Sequence, residues 1–330
     1  MPSYPLGSRQ PSWFQPQRQD RIYHHGEREV FLVDKTFILK KTPVDPGRVN
    51  IEADTHQFVT DNADSIPVPR IHGQWLSPDR RTHYLLQDAM PGRTLLECWS
   101  RLSADARLTV ATQVAECMRE LAHYRGSRMT TLRGHPLRNN AFTPSLGPEY
   151  LPRCRDSRSE IWERVFRPEL AREGLTATEP ALVQRVRDAM PPCANQLVLT
   201  HGDLYAGNVL VDPRTGRLTG IIDWESAGFW PEWFQYARIG YGCGPDTTVW
   251  KDREWKWTLS RVMQGRVRHG EHGRVWLDIV SNLASLPRDE RRREKVMDTV
   301  KVWLRLIEVY LDGQVTLRRL ADYKDLVAGL

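Results

Sequence analysis

The chain has 330 residues, 40% of them hydrophobic and 27% charged, with a formal net charge of +6. That balance describes a soluble globular protein rather than a disordered one, and the length suits two lobes or two domains. The positive excess is small and not gathered in a tail, so no nucleic-acid partner is expected. No apolar run approaches a membrane span, so no membrane partner is expected either. Five scattered cysteines, odd in number and without a Cys-x-x-Cys pair, point to free thiols and a cytoplasmic setting.

Residues 1–20, rich in proline and glutamine, are expected to form a flexible leader. From 21 to 90 short strands mix with one helix. Phe37-Ile38-Leu39-Lys40 predicts a strand ending on a lysine, and no lysine occurs between Lys41 and Lys251, which sets the Lys40 and Lys41 pair apart. Glu52 opens a helical stretch through Val59. The helix dipole alone favours a glutamate there, and solvation alone favours a lysine at a strand end, so the residue types leave both roles open. Tyr84 to Gly92 reads as a strand leaving through the turn Pro91-Gly92.

Beyond Gly92 the chain is predicted to be mainly helical apart from one hairpin. Ser103 can cap a helix whose buried stripe would be Leu108, Ala111, Ala115, Met118 and Ala122. Residues 129–152 read as loop, and a helix runs from Ile161 to end near Arg172. After Gly228 the predicted helices carry Trp230, Trp233, Trp250, Trp255, Trp257, Trp276 and Trp303, read as core, with an acceptor-pocket lining as the alternative. Arg291-Arg292-Arg293 lies among acids and reads as a solvated helix face. His269 and His272 are spaced for a metal but lack partner ligands and read as a surface pair.

The stretch from Val198 to Gly228 carries the chemistry. Val209-Leu210-Val211 and Leu218 to Ile222 are apolar strands flanking Asp212-Pro213-Arg214-Thr215-Gly216, a turn, so they form a hairpin. Asn208 enters the first strand and Asp223 leaves the second, which places both at one edge. Magnesium prefers oxygen donors and commonly takes only one or two carboxylates, so an amide and a carboxylate at that edge suit it. Asp203, five positions before Asn208, is then available as the base that accepts a hydroxyl proton during transfer of a phosphoryl group.

His201-Gly202-Asp203-Leu204 through Asn208, followed by Ile222-Asp223-Trp224-Glu225, resembles the catalytic and metal-binding motifs of the aminoglycoside phosphotransferase and choline kinase superfamily, relatives of protein kinases. Pro231-Glu232 after the Asp-Trp-Glu segment is similar to the fungal branch of phosphotransferase-family proteins, mostly of unassigned substrate. The resemblance implies an α+β, two-lobed, protein-kinase-like fold. Its small mixed nucleotide-binding lobe would span residues 21–90, with a hinge at 87–92, and its larger, mainly helical lobe residues 93–330. It implies ATP and Mg2+ as cofactors, with Lys40 on the α- and β-phosphates, Glu52 fixing that lysine, and the carbonyl of Asp88 and amide of Met90 on adenine. His201 would support the loop. Upstream of Lys40 only Gly26 stands where kinases carry several glycines.

The implied activity is transfer of the γ-phosphate to a hydroxyl of a small molecule. The alternative is a catalytically inactive nucleotide-binding or scaffold protein. From Phe229 onward, 18 Lys and Arg outnumber 14 Asp and Glu, which disfavours a dedicated site for polycationic aminoglycosides unless acids such as Asp246, Asp252 and Glu254 gather in a rim. Other chemistries lack their signatures: there is no G-x-x-x-x-G-K-[ST], H-E-x-x-H or G-x-S-x-G.

Overall fold

The structure, a computed structural model, describes residues 10–12, 14–44, 52–138, 150–155, 157–193, 197–237, 239, 254–255, 258–259, 261–263 and 269–313. In chain order the elements are β1 (Gln19–His25), β2 (Arg28–Val33), β3 (Phe37–Pro43), α1 (Glu52–Asn62), β4 (Ile71–Leu76), β5 (Thr82–Asp88), β6 (Arg93–Thr94), α2 (Leu95–Cys98), α3 (Ala104–Leu121) and β7 (Arg125–Gly126). They continue with α4 (Arg158–Ile161), α5 (Arg167–Arg172), α6 (Leu175–Thr178), α7 (Pro180–Asp188), β8 (Leu197–Thr200), β9 (Val209–Val211), β10 (Leu218–Ile221), β11 (Gly228–Pro231) and α8 (Glu232–Ala237). Two long helices, Gly270–Leu283 and Glu290–Leu311, come last. The class is α+β, an antiparallel sheet leading and helices dominating later.

Contacts divide the chain into two compact units, one of residues 1–120, 204–227 and 243–262, the other of residues 121–203, 228–242 and 263–330. The first is built on an antiparallel sheet in the order β1-β2-β3-β5-β4. A two-residue turn joins β1 to β2, with His25 opposite Arg28 and Gly26 at φ +59° leading the turn, a conformation that glycine adopts without steric cost. Val33, Leu39, Trp75 and Leu86 form a core on the sheet together with Phe14. Phe14 meets Phe37 edge-on with ring centroids 6.3 Å apart, so packing begins before β1.

In the same unit Ser103 caps α3 as its side chain suggests, accepting from the Ala106 amide at 3.2 Å. The buried stripe is Val110, Ala111, Val114, Ala115, Met118 and Leu121. Leu108, expected in that stripe, lies at its margin and is 53% exposed. A three-stranded sheet in the order β10-β9-β6 completes this unit among the described residues.

The second unit holds the larger apolar core, which includes Trp162, Phe166, Trp230, Trp233, Trp276 and Trp303. Trp230, Trp233, Trp276 and Trp303 are therefore core, and Trp255, in the first unit, is also buried; Trp250 and Trp257 lie outside the described residues. The second unit is mainly helical as expected and also contains a short sheet, β11-β8-β7, that the sequence did not announce. β8 is buried throughout and so shows no alternation, and two-residue β7 is too short to show any. The helix expected from Ile161 to Arg172 is present, starts at Arg158, and widens into a π-turn over Trp162–Phe166. Pro168 explains the widening, because its ring crowds the carbonyl one turn back and it has no amide to donate.

Arg291, Arg292 and Arg293 open the last helix, two of them exposed, as a solvated face requires. His272 corrects the reading of a surface pair. It is fully buried on the helix Gly270–Leu283 and its Nε2 donates to the carbonyl of Ala189 at 2.7 Å. The cysteines at 98, 117, 154 and 193 are free thiols; Cys243 lies outside the described residues. No described helix is long and apolar enough to cross a membrane.

Candidate active site

The hairpin that the sequence predicts is present. β9 and β10 pair antiparallel with Val209 opposite Ile221, and beyond that pair the amide of Ile222 donates to the carbonyl of Asn208 at 3.0 Å. This bond holds Asn208 and the residue before Asp223 side by side, so the amide and the carboxylate leave the hairpin at one end. Asp223 itself adopts the left-handed conformation, φ +65° and ψ +61°. Aspartate tolerates it better than most side chains, at a cost of about 1 kcal/mol, and it redirects the chain into the short turn Trp224–Ser226.

Helix α1 supplies the second wall. Its first turn carries Glu52 and Asp54, which complement the helix dipole. One turn after Glu52, buried His56 donates from Nδ1 to the carbonyl of Pro69 at 3.1 Å and sets its ring edge-on to Trp224, with centroids 6.2 Å apart. Trp224 is anchored in turn by its indole N–H on the carbonyl of Ile221 at 2.9 Å. Packing between His56 and Trp224 thus aligns Glu52 with Asp223.

The lysine of β3 lies between them. Lys40 Nζ is 2.5 Å from Glu52 Oε1 and 3.1 Å from Asp223 Oδ1, and its side chain is only 16% exposed. Burial alone would push the ammonium pKa down. The charges of Asp223 and Glu52 outweigh that and hold it above the ordinary lysine value. For Glu52 burial dominates and raises its pKa, against the pull of Lys40. Strand alternation turns Lys41 away from Glu52 and Asp223: its Nζ sits 4.6 Å from the centroid of Phe31 and 3.7 Å from Glu29.

Lys40, Glu52, Asp88, Met90, Asn208 and Asp223 all line one cavity of about 480 Å³ within the first unit. At the end of the cavity formed by Asp88 to Met90 the amides of Asp88 and Ala89 are spent on Arg70 and Thr36, at 3.0 and 2.8 Å, whereas the amide of Met90 has no backbone acceptor among the described residues. His72 Nε2 donates to the Asp88 carboxylate at 2.6 Å and steadies that segment. Asp203 belongs to the last residues of the second unit before the chain passes at Leu204 into the first. Its amide donates to Nδ1 of the buried His201 at 3.2 Å, directly after Gly202 at φ +80°.

Three cations, Arg28, Lys40 and Lys41, line the cavity against five acids, Glu29, Glu52, Asp88, Asp223 and Glu225. That excess of two negative charges, with oxygen donors from Asn208 and Asp223 at one end, fits a divalent cation of magnesium type. No cluster of three or more His, Cys, Asp or Glu side chains that could hold a metal ion is found among the described residues.

Arg28 and Glu225 were not singled out by sequence. Arg28 Nη1 lies 2.9 Å from Glu225 Oε1. Their signals were present, one residue sitting two positions after Gly26 and the other closing the Asp-Trp-Glu segment, but their pairing needs the fold. Glu254, a candidate for an acidic rim, accepts from the Trp99 indole at 2.6 Å and lies 3.3 Å from Arg107. Asp246 and Asp252 lie outside the described residues.

With this geometry in view, comparison with known proteins is decisive at the level of family. A family model for the phosphotransferase enzyme family, APH, matches residues 22–270. The chain belongs to the phosphotransferase enzyme family. A curated relative, the clavilactone A biosynthesis cluster protein Y of Ampulloclitocybe clavipes, is 27% identical over 60% of this chain and 56% of its own length. An aminoglycoside 3'-phosphotransferase of Streptomyces ribosidificus is 31% identical over 48% of this chain and 52% of its own. The chain thus spans little more than half the length of these curated relatives. Among solved structures, the streptomycin–ATP ternary complex of APH(2")-IIa superposes with a TM-score of 0.56 at 14% identity, covering 87% of this chain and 91% of the other. ADP-bound APH(2'')-Ib superposes with a TM-score of 0.53 at 14% identity, over 88% and 93%. At such identities the likeness is one of fold.

Proposed function

We propose that the protein is an ATP- and Mg2+-dependent phosphotransferase that moves the γ-phosphate to a hydroxyl of a small molecule. The observation that carries this reading is the Lys40 ammonium, held between Glu52 and Asp223 in the cavity that also takes in Met90 and Asn208. A buried lysine shared by two carboxylates, one of them at the mouth of the hairpin, favours catalysis over a scaffold.

In this reading the amide of Met90 and the carbonyl of Asp88 bind adenine, and Lys40 binds the α- and β-phosphates while Glu52 keeps its ammonium in place. Asn208 and Asp223 would hold the magnesium ion, which when bound neutralises phosphate charge. Asp203 accepts the proton of the attacking hydroxyl, and His201 steadies its backbone by accepting the hydrogen bond of the Asp203 amide at Nδ1. The acceptor is a hydroxylated small molecule, neutral or amphipathic as readily as cationic.

The test is a thermal shift with ATP in the presence and absence of Mg2+, on the wild type and on Asp223→Ala, followed by a screen of hydroxylated metabolites with mass detection of an added phosphate. Stabilisation by ATP that requires the metal, and that Asp223→Ala abolishes, is expected. A metal-dependent shift that survives Asp223→Ala sinks the metal assignment, and no phosphorylated product from any acceptor sinks the catalytic one.

A further inference from the structure

One ion pair joins the β1–β2 hairpin to the Asp223-Trp224-Glu225 segment. Arg28, the first residue of β2, meets Glu225 at 2.9 Å across 197 positions of sequence. Both side chains line the cavity with Lys40 and Asp223, and both keep some access to it, at 32% and 23% exposure. Burial alone would lower the Arg28 pKa, but the charge of Glu225, joined by that of Asp223, raises it. The guanidinium therefore stands in the field of the carboxylate assigned to the metal.

The hairpin offers a polyphosphate little else. A glycine-rich turn holds phosphate oxygens with successive backbone amides, yet here a single glycine, Gly26, leads the turn. Two residues after it the chain places a permanent cation, Arg28. A guanidinium is planar and presents parallel N–H donors matched to phosphate oxygens as well as to a carboxylate. In this structure Arg28 Nη1 meets the carboxylate of Glu225.

We infer that Arg28 is a phosphate-binding residue held in reserve: when a nucleoside triphosphate enters the cavity, its guanidinium leaves Glu225 for the phosphate oxygens. The inference rests on the nucleotide reading of the cavity and adds a side-chain cation where the turn lacks amides. No covalent step is involved. Glu225, partly exposed, is released toward solvent, so it acts as a competitor for Arg28 and sets how tightly the triphosphate is held.

The experiment is isothermal titration of the full chain with MgATP and, separately, with adenosine. Arg28→Gln is expected to weaken MgATP by at least about tenfold, the loss of one charge-assisted hydrogen bond, with adenosine unchanged. Glu225→Gln is expected to tighten MgATP. If the pair were only a structural brace, both variants would weaken MgATP and adenosine alike, and that result overturns the inference. So does an Arg28→Gln variant that binds MgATP as the wild type does, which leaves the nucleotide reading standing. A wild type that binds neither ATP nor adenosine overturns both. Should Arg28→Gln fail to fold, Arg28→Lys carries the test, with a loss confined to MgATP expected and no loss contradicting the inference.

Discussion

Lys40 and Asp223 stand 183 positions apart in sequence and 3.1 Å apart in space. Glu52 completes the contact from the other side, so a single ammonium balances two carboxylates before any ligand arrives.

Removing that ammonium should cost more than removing either acid. Lys40→Met leaves Glu52 and Asp223 facing each other around a buried gap, a loss of about 3 kcal/mol, whereas Glu52→Gln leaves Lys40 its bond to Asp223. The sign with pH comes from Glu52. Its pKa is already raised by burial, and without Lys40 it rises further, so stability falls as pH rises from the ordinary 4.5 through that raised value. Denaturant melts should find Lys40→Met most destabilised near neutral pH and above, and partly rescued near pH 4.5. Equal destabilisation at both would contradict the assignment.

Acid stability should carry the mark of His272. Burial lowers its pKa from 6.5 to about 4, and the neighbouring His269 adds to the effect against the bond to Ala189. The unfolded chain takes up this proton first, so stability is complete above pH 6.5 and is lost as pH falls toward 4, by up to about 3 kcal/mol. His272→Phe should flatten that slope in urea melts while lowering stability at pH 7 through the lost hydrogen bond.

Two glycines with positive φ should respond differently to alanine. At Gly92, φ +99°, a Cβ would fall 2.5 Å from both Thr219 Oγ1 and the carbonyl oxygen of Val211, so backbone must move. Gly92→Ala should cost about 2 kcal/mol or more. At Gly26 a Cβ meets nothing within 4 Å, and Gly26→Ala should cost only the backbone strain of about 1 kcal/mol. Melting temperatures of the two variants check the order.

Asp203→Asn should lower kcat by about 10²- to 10⁴-fold, the range for loss of a general base, with KM for ATP little changed. Steady-state kinetics on the acceptor found by the screen decides it, and an unchanged kcat would remove Asp203 from its proposed role.

Much of the candidate site was legible because its signals are local. The β9–β10 hairpin is dictated by two apolar runs around a Pro-Gly turn, and its observed bounds differ from the expected ones by a single residue, Ile222. The strand at Phe37 and the helix at Glu52 likewise announce themselves by pattern. The hidden features depend on long-range packing. Neither the role of His56 as a spacer against Trp224 nor the meeting of Arg28 with Glu225 has any periodicity to betray it. Strand β8 was obscured because burial on both faces erases alternation, and Leu108 was misplaced because helical spacing says which face a residue shares, not how far its neighbours extend.

The segment from Met90 to Thr94 is bolted to the same hairpin that ends in Asp223. Thr219 donates its hydroxyl to the carbonyl of Pro91 at 2.6 Å, β6 pairs with β9, and Gly220 leaves room for Met90 where a Cβ would sit 3.2 Å from it. Base recognition and metal recognition would then share one stiff β framework, which acts as a ruler. Cofactors would be sorted by the span from nucleobase to terminal phosphate, and an analogue lengthened or shortened by one phosphate would lose its fit at one end however well it matched at the other.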